Sequence, residues 1–125
     1  MKVLVDSSVW VAYLRGTDGG GELDVLIEEG RVATNDVILA ELIPPLLARQ
    51  ERELVGLLRE VECVPLSIGW EEVIQMQVTC LRNGINRVGI PDLLIAQNAI
   101  QNDLVLFSLD KHFALLGRHF ALRVR

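Results

Sequence analysis

Apolar residues along this chain follow two patterns that take turns. Short runs such as Val3-Leu4-Val5 and Leu104-Val105-Leu106-Phe107 have the length and bulk of buried strands. Between them, apolar residues recur at three- and four-residue steps, the period of a helix with one buried face. Trp70, Val73, Ile74, Gln77, Val78 and Leu81 follow that period and predict a helix over Gly69 to Arg82, with Trp70 and Met76 as core residues.

Strands are predicted at 2–5, 31–34, around 63–66 and at 104–107, with a closing strand near 120–124. Helices are predicted at 9–14, capped by Ser7-Ser8, and at 22–29, ended by Gly30. A third starts at an Asn35 or Asp36 cap and runs through Glu41, with Pro44-Pro45 expected to kink or break it. Further helices cover 50–61, 69–82, Pro91-Asp92 to Gln101, and 111–116. Arg15 to Gly21 reads as a glycine-rich loop between two helices. It lacks the GxxxxGK[ST] pattern of a phosphate cradle, and no strand leads into it. Strands alternating with helices throughout predict an α/β fold of three α/β/α layers, with a mainly parallel central sheet. No linker, repeat or low-complexity segment divides the chain, so residues 1–125 are expected to form one domain.

Half of the residues are hydrophobic, yet no apolar stretch approaches the length of a membrane span. The opening MKVLVDSSVW starts directly with a strand pattern and lacks the features of a signal peptide. A cytoplasmic protein is expected. Cys63 and Cys80 are isolated and read as small hydrophobes in a reducing compartment, and His112 and His119 lack zinc-site spacing.

Against this background four acids stand beside apolar segments, where a carboxylate is costly to desolvate unless something pairs with it. Asp6 follows the first strand, and Asp110 lies just beyond Leu104 to Leu109. Glu41 interrupts Val37-Ile38-Leu39-Ala40 and Leu42-Ile43, and Asp92 separates Ile90-Pro91 from Leu93-Leu94-Ile95-Ala96. Each has an ordinary explanation alone: a helix cap at Asp6, a dipole partner at Asp92, a solvated face at Glu41, a turn at Asp110. In an open parallel sheet, however, ligands sit beyond the carboxyl ends of the strands. The four acids, 35, 51 and 18 residues apart in succession, can converge there. Clustered carboxylates stay ionised only with a cation among them, and hard oxygen donors without His or Cys suit Mg²⁺ or Mn²⁺. Such ions serve phosphodiester cleavage. The net charge of −5 argues against broad nucleic-acid binding, but the cluster would carry most of it, so an anionic substrate stays open.

In order and context these residues resemble PIN-domain ribonucleases, especially VapC-type toxins of toxin–antitoxin pairs. Asp6-Ser7-Ser8-Val9-Trp10, followed by Tyr13-Leu14-Arg15-Gly16, is similar to the family's opening motif. Glu41-Leu42 fits its second acid, and Gly89-Ile90-Pro91-Asp92-Leu93-Leu94-Ile95-Ala96 resembles its third motif. Ser108-Leu109-Asp110-Lys111-His112-Phe113 resembles the last, where a small hydroxyl residue precedes the fourth acid by two positions. The resemblance spans essentially the whole chain. Gln97-Asn98 departs from it, standing where the family more often has small residues.

The resemblance implies a metal-dependent endoribonuclease acting on RNA. Asp6 and Asp92 would be the leading Mg²⁺ ligands, with Mn²⁺ an alternative. Asp110 would complete the site directly or through water, and Glu41 would bind a second ion or orient the attacking water. Ser7 and Ser108 would support the acids by hydrogen bonds. A homodimer and a small antitoxin protein are the implied partners. Arg15, Arg87, Lys111 and Arg118 are candidate RNA-phosphate contacts. Two other acid-site folds compete. A receiver-like phosphoacceptor domain needs an acidic pair at the first strand end, and a haloacid-dehalogenase-like phosphatase needs an Asp where Ser8 stands. A non-catalytic PIN-like interaction module is the third alternative, and the presence of all four acids argues against it.

Overall fold

A computed structural model of the chain describes residues 1–16 and 21–125. Four strands, β1 (Val3–Val5), β2 (Val32–Thr34), β3 (Glu62–Cys63) and β4 (Val105–Phe107), form one parallel sheet in the order β3-β2-β1-β4. Central β1 is apolar at every position and wholly buried, as a strand covered on both faces must be. Edge strand β3 is exposed and carries Glu62, whose carboxylate meets Lys2 Nζ at 3.4 Å; a charge there disfavours pairing with another chain. Helices flank the sheet, giving the expected α/β architecture. They are α1 (Ser7–Arg15), α2 (Gly21–Glu28), α3 (Asp36–Ala48), α4 (Arg52–Glu60), α5 (Trp70–Arg82), α6 (Ile90–Gln101) and α7 (Lys111–Leu116).

The strand order decides where a ligand can sit. From β1 the chain crosses to β2 and β3 on one side, then returns to place β4 on the other. The turn-off points from β1 and β4 therefore diverge, opening a crevice beyond the carboxyl ends of these two strands. Asp6 and Ser108 are the first residues past those ends.

Four expectations change in detail. Asp6 caps α1 in place of Ser7-Ser8, accepting from the Ser8 N–H at 3.4 Å, so the helix starts two residues early. Helix α3 runs unbroken through Pro44 and Pro45 to Ala48. The carbonyls that lose their donors belong to Ala40 and Glu41, which are exposed and can turn to water. The predicted closing strand is only a parallel bridge between Val124 and Leu106. It is held by Leu106 N–H to Arg123 O at 2.9 Å and Arg125 N–H to Leu106 O at 2.8 Å. Helix α5 presents two adjoining apolar faces rather than one. Val73, Met76 and Cys80 point into the core as expected, whereas Trp70, Ile74 and Leu81 are more than half exposed on the next face. Most of the predicted glycine-rich loop, residues 17–20, lies outside the described residues.

Gln97 and Asn98 have a clear structural role. Both are buried on α6 and stitch the segment between β3 and α5 to that helix. Gln97 accepts from Gly69 N–H at 3.2 Å and donates to Gly69 O at 3.1 Å and Glu72 at 2.6 Å. Asn98 donates to Pro65 O at 3.0 Å and accepts from Asn35 Nδ2 at 2.9 Å. Asn35 also caps α3 by accepting from Ile38 N–H at 2.9 Å. A buried amide left unpaired would cost about 1–3 kcal/mol, and here each finds a partner. The chain Asn35–Asn98 joins the helix that carries Glu41 to the helix that carries Asp92.

Candidate active site

Asp6 is the hub of the crevice. It is 5% exposed, and one oxygen, Oδ2, takes all its side-chain hydrogen bonds: Ser8 Oγ at 2.7 Å, Ser108 Oγ at 2.9 Å and the Ser8 N–H at 3.4 Å. The two hydroxyls are fixed in turn by the chain past β4. Leu109 N–H donates to Ser8 Oγ at 3.0 Å, and Asp110 N–H donates to Ser108 Oγ at 3.0 Å. With every hydroxyl proton directed at Oδ2, the carboxylate is locked in rotation and Oδ1 takes no hydrogen bond among the described residues.

Ser8, not Ser7, is thus the hydroxyl of the first motif that supports Asp6. Ser7 instead lines a groove next to the site. The residue two past a capping acid is the one whose N–H and hydroxyl fold back onto it, and that signal could have singled out Ser8 once Asp6 was taken as the cap. Ser108 occupies the supporting place expected of it.

Asp110 caps the short helix α7 and accepts from His112 N–H at 2.9 Å. The same oxygen meets His112 Nδ1 at 2.8 Å, a partner that the sequence did not single out. Asp92 occupies the first turn of α6, where the helix dipole favours a negative charge. It accepts from Gly89 N–H at 3.3 Å. Burial nonetheless raises its pKa; the Gly89 N–H works against the rise, Asp110 and Asp6 add to it, and His112 opposes it. Glu41 is accessible on the second turn of α3, yet the apolar wall around it removes enough water to raise its pKa. Asp6 and then Asp92 push it the same way.

These mutual effects bring all four acids into one electrostatic cluster, from the ends of two strands and the starts of two helices. Among the described residues no three acidic, His or Cys side chains are closed into a ready-made metal cage. The donor set still suits a divalent cation of the hard type. It consists of carboxylates, it includes an oxygen of a buried Asp with no other partner, and two of its members resist ionisation without a compensating positive charge.

The chain is similar in sequence and fold to known proteins. A model of the PIN domain matches residues 3–118. Ribonuclease VapC10 of Mycobacterium tuberculosis is 34% identical over 119 residues, which cover 90% of this chain and 86% of that protein. Among solved structures, VapBC2 from Rickettsia felis, bound to a DNA fragment from their promoter, superposes with a TM-score of 0.78. Its identity is 19%, and the match covers 100% of this chain and 98% of that one. VapBC-5 from Mycobacterium tuberculosis, a member of the VapBC family of toxin–antitoxin systems, superposes with a TM-score of 0.72 at 25% identity, covering 98% of this chain and 96% of that one.

Proposed function

The chain belongs to the PIN-domain family, and from that premise we propose that it is a metal-dependent endoribonuclease and the toxin of a VapBC-type pair. One observation carries this reading beyond the family. Four carboxylates from four separate elements are gathered at the switch point of the sheet, and the most buried of them has one oxygen held and the other free.

Asp6, through Oδ1, and Asp92 would hold the ion, with Asp110 joining directly or through water. When bound, Mg²⁺ or Mn²⁺ supplies a polarised water and screens the charge on the phosphate. The chain's own residues do the rest. Ser8 and Ser108 keep Asp6 from rotating, so its free oxygen stays aimed into the crevice. His112 holds Asp110 Oδ1 and so fixes which of its oxygens faces inward. Glu41, with its raised pKa, is suited to orient the attacking water and take its proton on a carboxylate oxygen, since a base is most useful when its pKa approaches the working pH.

The remaining partners follow from surfaces. The exposed α5 stripe of Trp70, Ile74 and Leu81 supports a homodimer that covers it. A small antitoxin protein is the partner that the VapBC relatives suggest. No helix among the described residues is long and apolar enough to cross a membrane. The free cysteines Cys63, which is exposed, and Cys80 support a reducing, cytoplasmic setting. We read residues 1–125 as one nuclease domain, because strands and helices from both ends of the described chain share one core.

Purified protein is expected to cleave single-stranded RNA with Mg²⁺ or Mn²⁺ and to stop in chelator. Asp6→Asn and Asp92→Asn should each abolish cleavage. Equal cleavage by both variants would assign the activity to a contaminant and end this reading. Growth arrest on expression, relieved by a small protein encoded alongside, tests the toxin role.

A further inference from the structure

A groove leaves the acid cluster along the seam between α1 and α3. Ser7 and Glu41 form its near end, beside Asp6. Its walls are apolar, with Val11 and Leu14 from α1 facing Leu42, Pro45 and Leu46 from α3, and it encloses about 430 Å³. Two arginines line its far end: Arg15 in the last turn of α1 and Arg49 just past α3. Neither belongs to an ion pair among the described residues. Glu51 also borders this end, yet it forms no ion pair with either arginine there.

The polarity of the groove is its informative property. Ser7 to Arg15 spans eight residues of helix, about 12 Å at 1.5 Å per residue. That exceeds the screening length of roughly 10 Å at 0.1 M salt, so the arginines do little to neutralise the acids. One end thus suits a metal-bound phosphate, the other attracts an anion directly, and between them lies an apolar slot. A single strand of RNA has this same order of groups: phosphate, base face, phosphate.

We propose that this groove is the subsite for the nucleotides flanking the cleaved bond, with Arg15 and Arg49 holding a backbone phosphate one or more nucleotides away from the acids. The assignment rests on the ribonuclease reading above. Continuity with the acid cluster through Ser7 and Glu41 and the charge of the far end favour RNA over an apolar peptide or a second copy of the chain. Guanidinium groups recognise phosphate oxygens in a paired fork, which lysine cannot reproduce.

The test uses the full chain as Asp92→Asn with Mg²⁺, to silence cleavage, and a labelled single-stranded RNA long enough to run the groove. Affinity is measured by anisotropy across a salt series. Adding Arg15→Ala with Arg49→Ala should weaken binding at least tenfold and flatten the slope of log K on log salt by about 0.7, the value for one phosphate contact on a single strand. In the active background, the same pair should raise KM for the long RNA while leaving a dinucleotide substrate unaffected. Arg49→Lys should keep the salt slope while losing part of the affinity.

Each arginine also complements the negative end of its helix, so a purely structural role predicts a lower melting temperature with an unchanged slope. An unchanged slope, or equal losses on long and short substrates, overturns the proposal. If the pair instead abolishes self-association in ultracentrifugation with RNA affinity intact, the groove belongs to a second copy. A parent protein that never cleaves RNA would fail the ribonuclease reading itself, whereas a cleaving parent indifferent to the two arginines fails the groove alone.

Discussion

At the end of β1, Asp6 is buried and takes three hydrogen bonds on one oxygen, and the residues that donate them are held by the backbone after β4. Across the crevice, Glu41 on the second turn of α3 and Asp92 on the first turn of α6 have little polar support. Asp92 accepts a single N–H at 3.3 Å, and both acids have raised pKa values. Folding alone completes the strand-end half, because pairing β1 with β4 brings Asp6 and Ser108 together. The helix half is held near it by packing and by the buried Asn35–Asn98 bond, against the repulsion of like charges. An ion-binding site divided this way has one fixed anchor and one side that gains stability only when positive charge arrives.

The largest effect that can break this comparison is on catalysis. Asp6→Asn should lower kcat by roughly a thousandfold or more, the scale on which loss of a principal metal ligand removes charge stabilisation worth several kcal/mol. Ser8→Ala and Ser108→Ala should each lower it about tenfold, since second-sphere partners of a metal ligand typically matter at 10- to 100-fold. Together they should cost less than the product of the two, because both hydroxyls serve the same oxygen. Full additivity in single-turnover rates would mean that the hydroxyls act separately.

Stability should separate the halves with opposite signs. Asp6→Ala removes the cap of α1 and the acceptor of two half-buried hydroxyls, a loss of roughly 1–2 kcal/mol. Asp92→Asn does the reverse in metal-free protein. The amide can still accept the Gly89 N–H, while the desolvated charge and its repulsion by Asp110 and Asp6 disappear. Its metal-free melting temperature should rise, and its gain on adding Mg²⁺ should shrink. Two variants that both lose activity yet melt in the same direction would show that the halves are not distinct.

How much of this was legible in the sequence depends on whether the controlling contact is local. Asp6 and Asp110 could be read because each follows an apolar run long enough to be a strand, and Asp92 because a proline marks the helix start before it. Even Glu41 was visible through its apolar neighbours. The choice between Ser7 and Ser8 was not, because it depends on where α1 begins, and Asp6 moves that start by acting as cap. Pro44-Pro45 read as a break because the sequence does not say that the carbonyls they orphan would face solvent. The partners of Gln97 and Asn98 that hold the segment before α5 and the cap of α3 lie 25 to 63 residues away, so only the fold could supply them. Trp70 matched the helical period as well as Val73 did; period places residues on a helix but does not say which of two apolar faces turns inward. Arg49 gained meaning only when the packing of α1 on α3 set it on the same groove as Arg15.

The smallest predicted effect is also the finest probe of the helix half. Raised pKa values at Glu41 and Asp92 mean that the folded, metal-free protein keeps protons on these groups at pH values where the unfolded chain has released them. The slope of unfolding free energy with pH follows the protons bound by the unfolded state minus those bound by the native state, and here that difference is negative. The contribution of the two acids is therefore fully present below their unfolded pKa values and is lost as pH rises through the folded ones. Glu41→Gln should remove its share, giving a flatter decline in melting temperature between acid and neutral pH in chelator. With Mg²⁺ bound, parent and variant should lose that difference in shape, because the cation favours the ionised carboxylates. A variant whose chelator curve still parallels the parent would mean that Glu41 ionises freely, and the helix half would then reduce to Asp92 alone.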